Sequence, residues 1–379
     1  MAPDAPPDST MHGACRLEQV WIDSYSLELE DAHGLVGDQG SETSFRQILK
    51  DWQLTLERAG SVPFGPQAAD ELSKAELDRI AAEGDTDAAR AITLAIEDFV
   101  AHLSYAIKRF LQQSPWAGVE RIVIGGGFKE SAIGRRVIRH TQHRLVADGM
   151  RVELRTIHQG ADDAGLVGWT QLHPHGPPDQ AFLAVDIGGT NVRCGIVAPA
   201  GAPSRDPGIA GTHAEKSIDR VIKLEKWRHA DSDAPQDDLV EGIVGMLRRL
   251  IAHAGEHQIP LLPFIGIGCP GVIRSDGSIA RGAQNLPGDW DRASFHLPRR
   301  ISENIPSIDG AKTLVLMHND AVVQGLSEVS FTRDVRRWAV LTIGTGLGNA
   351  SFTNQAMRRT PHVRPGRPKA VDDSSDEDI

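Results

Sequence analysis

The sequence contains little of what membrane-embedded and secreted proteins need. Its three cysteines, Cys15, Cys194 and Cys269, are too far apart to predict a disulfide framework or a paired-cysteine metal site. The longest apolar run, residues 261–273, is broken by prolines and glycines and is too short to cross a bilayer. Residues 1–10 contain three prolines and no basic segment followed by an apolar one, which argues against a secretory signal. We therefore expect a cytoplasmic protein without a membrane partner.

Basic residues are outnumbered by acidic ones. Lys and Arg total 40 and Asp and Glu total 51, so the formal charge is −11, which argues against a protein that binds nucleic acid through a basic face. Aromatic residues make up only 5% of the chain, whereas 40% hydrophobic and 24% charged residues are ordinary for a soluble globular protein. The length of 379 residues predicts two domains, each able to bury a core. These values favour a soluble enzyme or a protein-interaction module.

Changes in composition divide the chain. Residues 1–14 are rich in proline, residues 173–179 form a linker of histidine, proline and glycine, and residues 354–379 pass from basic to acidic. We predict disordered segments at residues 1–14 and 354–379 and a domain boundary in the linker. A docking role for the C-terminal tail is the less favoured alternative.

The region before the linker is mainly helical. Apolar residues spaced by three or four predict a long amphipathic helix over residues 85–113. A buried strand at residues 121–124 runs into three glycines. Leu17–Asp23 and Tyr25–Glu30 are predicted to be two strands that meet at a tight turn.

The region after the linker begins with strands. Its order is predicted as β-β-β-α-β-α, a mixed sheet covered by helices. The last patterned segment, Trp338–Phe352, resembles a hairpin and has no partner nearby in sequence. If it pairs with Leu17–Glu30, the first region has the same element order, and one domain is assembled from both ends of the chain.

The strongest motif is DIGGTN, which spans Asp186–Asn191. Two glycines in a hairpin turn let backbone N–H groups approach phosphate oxygens, so Gly188, Gly189 and Thr190 are candidate nucleotide-binding residues. The carboxylate of Asp186, at the end of the preceding strand, could hold a hydrated Mg²⁺ beside those oxygens. An ordinary hairpin turn with an aspartate before it is the alternative for an isolated motif of this kind.

Two further glycine turns accompany this motif. Gly344, Thr345 and Gly346 form a second turn between two strands, and Gly125, Gly126 and Gly127 follow a buried strand. The combination resembles the actin-like ATPase fold shared by sugar kinases, actin and chaperone ATPases. The resemblance implies an α/β protein in which two ribonuclease H-like domains enclose a nucleotide cleft.

The finer motifs resemble the ROK family of sugar kinases and related repressors. They are Gly266–Gly271 (GIGCPG), Asn285–Gly288 (NLPG) with Trp290, and the pair Asn319-Asp320. The resemblance implies ATP- and Mg²⁺-dependent phosphorylation of a hexose, with Asp320 as the general base and with Asn285, Asn319 and Gly271 binding the sugar.

The resemblance covers residues 15–353 in rearranged order. Residues 84–172, which include DDAGLVGW, resemble the C-terminal part of a ROK kinase, and residues 181–352 resemble the N-terminal part. The chain is therefore expected to be circularly permuted, with one domain formed by residues 15–175 and 338–353 and the other by residues 180–337.

The sequence departs from the family at the sugar and zinc sites. ROK kinases carry a cysteine-rich zinc loop that is absent here, so no structural zinc is expected. Glu30 and His33, followed by Glu42, have the spacing of the family's sugar-binding Glu and His, although an acidic strand end with an incidental histidine is the favoured reading of them. His173 and His175 are expected to be solvated, and Trp227-Arg228-His229 matches no motif.

Three other interpretations of the sequence are less favoured than a sugar kinase. GIGCPG fits the glycine pattern of a dinucleotide site, but a hairpin rather than a helix is predicted after it. A non-catalytic sugar- or nucleotide-binding regulator is possible, although residues 1–40 do not resemble a DNA-binding helix-turn-helix. A chaperone-type ATPase would need a large peptide-binding domain for which there is no room. A homodimer is compatible with the sequence.

Overall fold

The computed structural model describes residues 11–32, 34–174, 180–200, 219–231 and 235–355. The strands are, in chain order, β1 (Val20–Tyr25), β2 (Glu30–Asp31), β3 (Gly34–Leu35), β4 (Arg121–Gly125), β5 (Glu153–Thr156), β6 (Ala181–Ile187), β7 (Val192–Ala198), β8 (Arg220–Trp227), β9 (Leu261–Cys269), β10 (Ser307–Ile308), β11 (Ala311–Lys312), β12 (Leu314–Asn319), β13 (Arg337–Ile343) and β14 (Leu347–Asn354). The helices are α1 (Glu42–Arg58), α2 (Lys74–Ala82), α3 (Asp87–Leu111), α4 (Ala132–Ala147), α5 (Ala164–Val167), α6 (Gln236–Glu256), α7 (Leu297–Asn304) and α8 (Asp320–Leu326).

A five-stranded mixed sheet organises the second half of the chain. Its spatial order is β12-β9-β6-β7-β8. The hairpin β6-β7 and the pair β7-β8 are antiparallel, while β9 and β12 add in parallel on the other side of β6. β6 is buried along its whole length because α6 covers one face of the sheet and α5 and α8 lie on the other. The predicted β-β-β-α-β-α order is confirmed.

The other five-stranded sheet repeats this pattern with a different chain order. Its spatial order is β1-β14-β13-β4-β5. β13-β14 and β14-β1 are antiparallel, and β4 and β5 add in parallel beside β13. β13 therefore takes the central position that β6 has in the second sheet. The predicted closure of one domain by both chain ends is confirmed, since β1 pairs with β14 from Val20↔Asn354 to Tyr25↔Ala350.

The prediction of two N-terminal strands meeting at a turn is wrong. Residues 20–25 form one strand, β1, and the backbone leaves the sheet at Ser26, whose φ is +46°. Leu27 and Leu29 then pack partly buried against the core formed around α1 and α3. The C-terminal segment supplies the two missing strands as a hairpin, so the sheet still has three antiparallel members.

The long amphipathic helix is confirmed as α3, which Thr86 caps by accepting a hydrogen bond from the backbone N–H of Ala89. The face of α3 that carries Ile92, Phe99 and Leu103 is fully buried. This face packs with α1 and α4 over the first sheet, because the apolar side chains recur at helical spacing.

Close packing between the two halves depends on small residues. A side chain at Gly168, just after α5, would overlap the backbone oxygen of Val323 in α8 at 1.7 Å. A side chain at Gly266 would lie 2.2 Å from the ring of Trp169. α5 and α8 can therefore lie against each other between the two sheets, and their ends reach the same cleft. None of the helices among the described residues has the length and apolar character to span a bilayer.

Candidate active site

A cleft of about 1150 Å³ lies between the two sheets. It is lined from the second sheet by the turn after β6 and the ends of β9 and β12, and from the first sheet by the turn after β13 and the loops after β4 and β5. The ends of neighbouring strands meet at one edge of each sheet, which is where ligands bind in open α/β folds. Most of the candidate residues line this cleft: Gly126, Gly127, Asp186, Gly188, Gly189, Thr190, Gly271, Asn285, Asn319, Asp320, Gly344, Thr345 and Gly346.

The two glycine turns meet across the cleft. The hydroxyl oxygens of Thr190 and Thr345 are 2.9 Å apart and share a hydrogen bond. A side chain at Gly189 would lie 3.2 Å from Asn285, and one at Gly346 would lie 3.0 Å from the Asn285 amide nitrogen. The absence of side chains at both glycines therefore leaves room for Asn285 between the turns.

Asp186 is a buried carboxylate at the end of β6. Its Oδ2 accepts a hydrogen bond from Arg193 at 3.2 Å, and burial raises its pKa while the guanidinium opposes that rise. A side chain at Gly165 in α5 would lie 2.5 Å from the Asp186 carboxyl carbon. The segment DDAGLVGW therefore matters to the site because its first glycine makes room for this carboxylate.

Asp320 begins α8 directly after β12, and its side chain reaches the cleft. Burial and the neighbouring charge of Asp186 raise its pKa to about 7. A carboxylate with a pKa near the working pH is suited to accept a proton from a substrate hydroxyl, because it is ionised yet basic. Asp320 is therefore the candidate for proton transfer in this cleft.

Asn319, rather than Asp320, caps α8. Its Oδ1 accepts from the backbone N–H of Val322 at 3.1 Å, and its Nδ2 donates to the carbonyl of Gly271 at 3.1 Å. Nδ2 also lies 3.2 Å from Asp320 Oδ1. The N-cap position of α8 is therefore filled by Asn319, and the carboxylate of Asp320 lines the cleft without a capping role.

Some of the candidate residues lie elsewhere. Glu30 is exposed in the small hairpin β2-β3 and is not among the cleft-lining residues, and Gly125 is the buried last residue of β4. Glu42 does line the cleft, where its carboxylate forms an ion pair with Lys74 at an Nζ–Oε2 distance of 2.8 Å. His33 and His175 lie outside the described residues.

Several cleft residues were missed by the sequence reasoning. Asp162 accepts from Arg193 at 2.6 Å and from Lys226 at 2.8 Å, so these three charged groups form one cluster beside the first turn. Only the alternation of polar and apolar residues on β7 and β8 could have suggested that Arg193 and Lys226 share a sheet face. Glu28 was missed because residues 25–30 were predicted to be a strand.

The charge of the cleft is negative overall. Among the residues that the structure describes, ten carboxylate side chains line it against five lysine and arginine side chains. A polyphosphate would therefore be repelled unless its charge were compensated by a cation and by backbone N–H groups. The oxygen donors of Asp186, Asp162 and Asp163 near the first turn are of the type that Mg²⁺ prefers.

The GIGCPG segment does not start a helix. After Gly271 the chain forms an irregular hairpin in which Ile273 pairs with Ile279. The carbonyl of Gly271 instead accepts from Asn319, which ties this segment to the start of α8. The expectation that no dinucleotide-binding helix follows this motif is confirmed.

The sequence is similar to that of a glucokinase from Thermotoga maritima, with 28% identity over 179 residues. The matched region covers 47% of this chain and 46% of the glucokinase, so the chain spans about half the length of this curated relative. No protein-family profile matches the chain. The similarity to glucokinase supports the resemblance to sugar kinases that the motifs indicate.

Solved structures give weaker matches. An inorganic polyphosphate/ATP-glucomannokinase from Arthrobacter sp. strain KM aligns with a TM-score of 0.32 and 19% identity, covering 47% of this chain and 62% of that chain. A PPX-GPPA enzyme from Aquifex aeolicus aligns with a TM-score of 0.32 and 13% identity, covering 62% of this chain and 83% of that chain.

Proposed function

We propose that this protein transfers a phosphoryl group from ATP to a hydroxyl of a hexose or hexose derivative in a Mg²⁺-dependent reaction. The observation that carries the proposal is the position of Asp320, a carboxylate with a pKa of about 7, in the same cleft as two facing glycine turns. Phosphoryl transfer depends mainly on positioning and on charge stabilisation, and both are available there.

The sugar would lie at the end of β12. Asp320 would accept the proton of the attacking hydroxyl, while Asn319 and Asn285 would orient the sugar. Asn319 is held by the Gly271 carbonyl and by its own helix cap, so its orientation is set before the substrate arrives. A preorganised side chain loses less conformational entropy on binding than a free one.

The triphosphate would lie between the glycine turns. Gly188, Gly189 and Thr190 would face one side and Gly344, Thr345 and Gly346 the other, with Gly126 and Gly127 near the nucleoside. The hydrogen bond between Thr190 and Thr345 would have to open to admit the phosphates, which requires a small parting of the two sheets. Reclosure around both substrates would exclude water from the transferred group.

Asp186 would hold Mg²⁺ through water, with Asp162 and Asp163 nearby as further oxygen donors. The bound ion would neutralise phosphate charge in a cleft whose described lining has twice as many carboxylates as basic side chains. Arg193 keeps Asp186 from being an isolated buried charge before the ion is present. No structural zinc is proposed to contribute to this site.

We also propose that the domain carrying the second phosphate turn consists of residues 15–175 with 338–353, and that the domain carrying Asp320 consists of residues 180–337. Both sheets have the same pattern of parallel and antiparallel neighbours, but the first begins in the chain with its third strand. This order supports a circular permutation relative to ROK kinases.

The deciding experiment is a coupled assay of ADP release against a panel of hexoses and N-acetylhexosamines, with and without excess EDTA. We expect sugar-dependent ADP release that needs Mg²⁺ and that falls by a factor of about 100 or more in Asp320→Asn. Nucleotide binding without turnover of any sugar would contradict the kinase proposal and would instead indicate a regulator.

A further inference from the structure

The segment Trp227-Arg228-His229 begins with the last residue of β8 and lies beside the first glycine turn. Side chains alternate across a strand. Lys226 and Arg228 accordingly line the cleft, while His229 is buried with 3% exposure. The ring of Trp227 packs against Gly242 in α6, where an added side chain would come within 2.4 Å of it. The end of β8 is therefore held firmly against the helix that covers this sheet.

His229 contacts the turn on the side away from the cleft, since it is buried and does not line the cleft. Its Nε2 lies 2.9 Å from the backbone carbonyl of Gly188, and because a carbonyl can only accept, Nε2–H is the donor. The next residue, Ala230, donates its backbone N–H to the carbonyl of Thr190 at 3.3 Å. The segment after β8 thus holds two carbonyl groups of the DIGGTN turn.

These two bonds determine where the turn's N–H groups point. In a trans peptide the C=O and the following N–H project in opposite directions. Holding the Gly188 carbonyl behind the turn therefore directs the N–H of Gly189 toward the cleft. In the described part of the chain, no backbone or side-chain acceptor takes the N–H of Gly189 or of Asn191. Both N–H groups are available to an anion.

We propose that His229 is a positioning residue for the nucleotide, which holds the Gly188–Gly189 peptide so that the Gly189 N–H donates to a phosphate oxygen of ATP. Glycine at both positions leaves this peptide easy to rotate, since neither residue has a side chain to restrict it. An external donor is what keeps the peptide in one orientation. The inference rests on the proposed kinase function and adds a residue to its phosphate site.

The test compares His229→Phe, which keeps a flat ring but removes the donor, with His229→Gln, whose side-chain amide can donate to the same carbonyl. We expect His229→Phe to weaken Mg·ATP binding by a factor of about 10 or more, because a charge-assisted hydrogen bond to phosphate is lost or misdirected. The KM for the sugar should stay within about twofold of the wild-type value. His229→Gln should recover most of the ATP affinity.

A control and a second measurement separate this role from a purely structural one. His140→Phe, on α4 of the other domain, should change neither the ATP affinity nor the sugar KM. If His229→Phe fails to reach the wild-type Tm, His229→Ala with millimolar imidazole replaces it, and imidazole should restore ATP affinity. Wild-type ATP affinity in a folded His229→Phe or His229→Ala protein would overturn the positioning role and leave the kinase proposal standing. A wild-type protein that binds no ATP would overturn both.

Discussion

Replacing Asp320 by asparagine should make the protein more stable and nearly inactive. A carboxylate with a folded pKa of about 7, against an ordinary value of 3.8, is ionised less readily in the folded than in the unfolded chain. Ionisation therefore favours unfolding as the pH rises above 3.8, and this penalty is complete above pH 7. Asparagine has no such penalty, and it keeps an oxygen that can accept from Asn319.

The expected magnitude follows from the pKa difference. One pKa unit corresponds to about 1.4 kcal/mol, so a shift of roughly three units sets an upper limit of about 4 kcal/mol. Because the side chain is partly exposed to the cleft, we expect about half of that limit, on the order of 2 kcal/mol. The corresponding gain in Tm is a few degrees.

Urea unfolding of both proteins at pH 8 and at lower pH measures this gain. The stabilisation should be largest at pH 8 and should shrink as the pH falls toward 4, while the kcat at pH 8 falls by a factor of about 100 or more. Equal or lower stability of Asp320→Asn at pH 8 would refute the electrostatic reasoning. Turnover like that of the wild type would refute the base assignment.

Asp334→Asn is a matched control in which the expected change in stability has the opposite sign. The hydrogen bonds from Arg121 lower the pKa of Asp334 to about 2, so this carboxylate stabilises the fold above its ordinary pKa. That contribution is lost as the pH falls through 4 toward 2. The asparagine variant should therefore be less stable than the wild type at pH 8, with an unchanged kcat.

Three further outcomes are expected. Gly165→Ala should displace the Asp186 carboxylate and raise the Mg²⁺ concentration needed for half-maximal activity several-fold. Gly255→Ala, whose added side chain meets no other atom, is the control. An unchanged Mg²⁺ dependence in Gly165→Ala would count against a metal role for Asp186. Truncation before residue 338 should unfold residues 15–172, which hydrogen exchange would show as lost amide protection. Removal of residues 356–379 should leave the Tm within about 2 °C of the wild-type value. A folded N-terminal region in the first truncation would contradict the shared sheet. Protein purified without added metal should contain no stoichiometric zinc and keep its Tm in EDTA. If zinc is found, His253, Glu256 and His257 at the C-terminal end of α6 are the first ligands to replace, since among the described residues they form the group whose donor atoms lie within 4.8 Å of one another.

Local patterns in the sequence were enough to predict much of the fold. The 3–4 spacing of apolar residues in α3 and the glycines after β6 and β13 are short-range signals, and each predicts one element. The unpaired C-terminal hairpin also indicated its own partner, because an open edge strand needs one. The glycine signals led to the two facing turns, whereas Asp320 was reached only through the resemblance of Asn319-Asp320 to the ROK family.

The charged cluster beside the first turn and the path of residues 26–29 could not be predicted in this way. Arg193, Lys226 and Asp162 meet only because three segments distant in sequence converge, and no spacing within any one of them records that contact. Tyr25 to Glu30 has the alternation of a strand, but the chain leaves the sheet at Ser26 and its leucines pack against another layer. Tertiary packing here overrides local propensity.

The pairing of β1 with β14 sets an order of events during synthesis. The ribosome makes β1, β4 and β5 first, but their central strand β13 and its partner β14 emerge only after residue 336. The strands of the second sheet are all complete by residue 319, so that sheet can close while the first still lacks its middle. The strand edges of the N-terminal half therefore stay unpaired while the C-terminal half is synthesised. A translation pause shortly before β13 would lengthen the exposure of these edges to chaperones, proteases and other nascent chains.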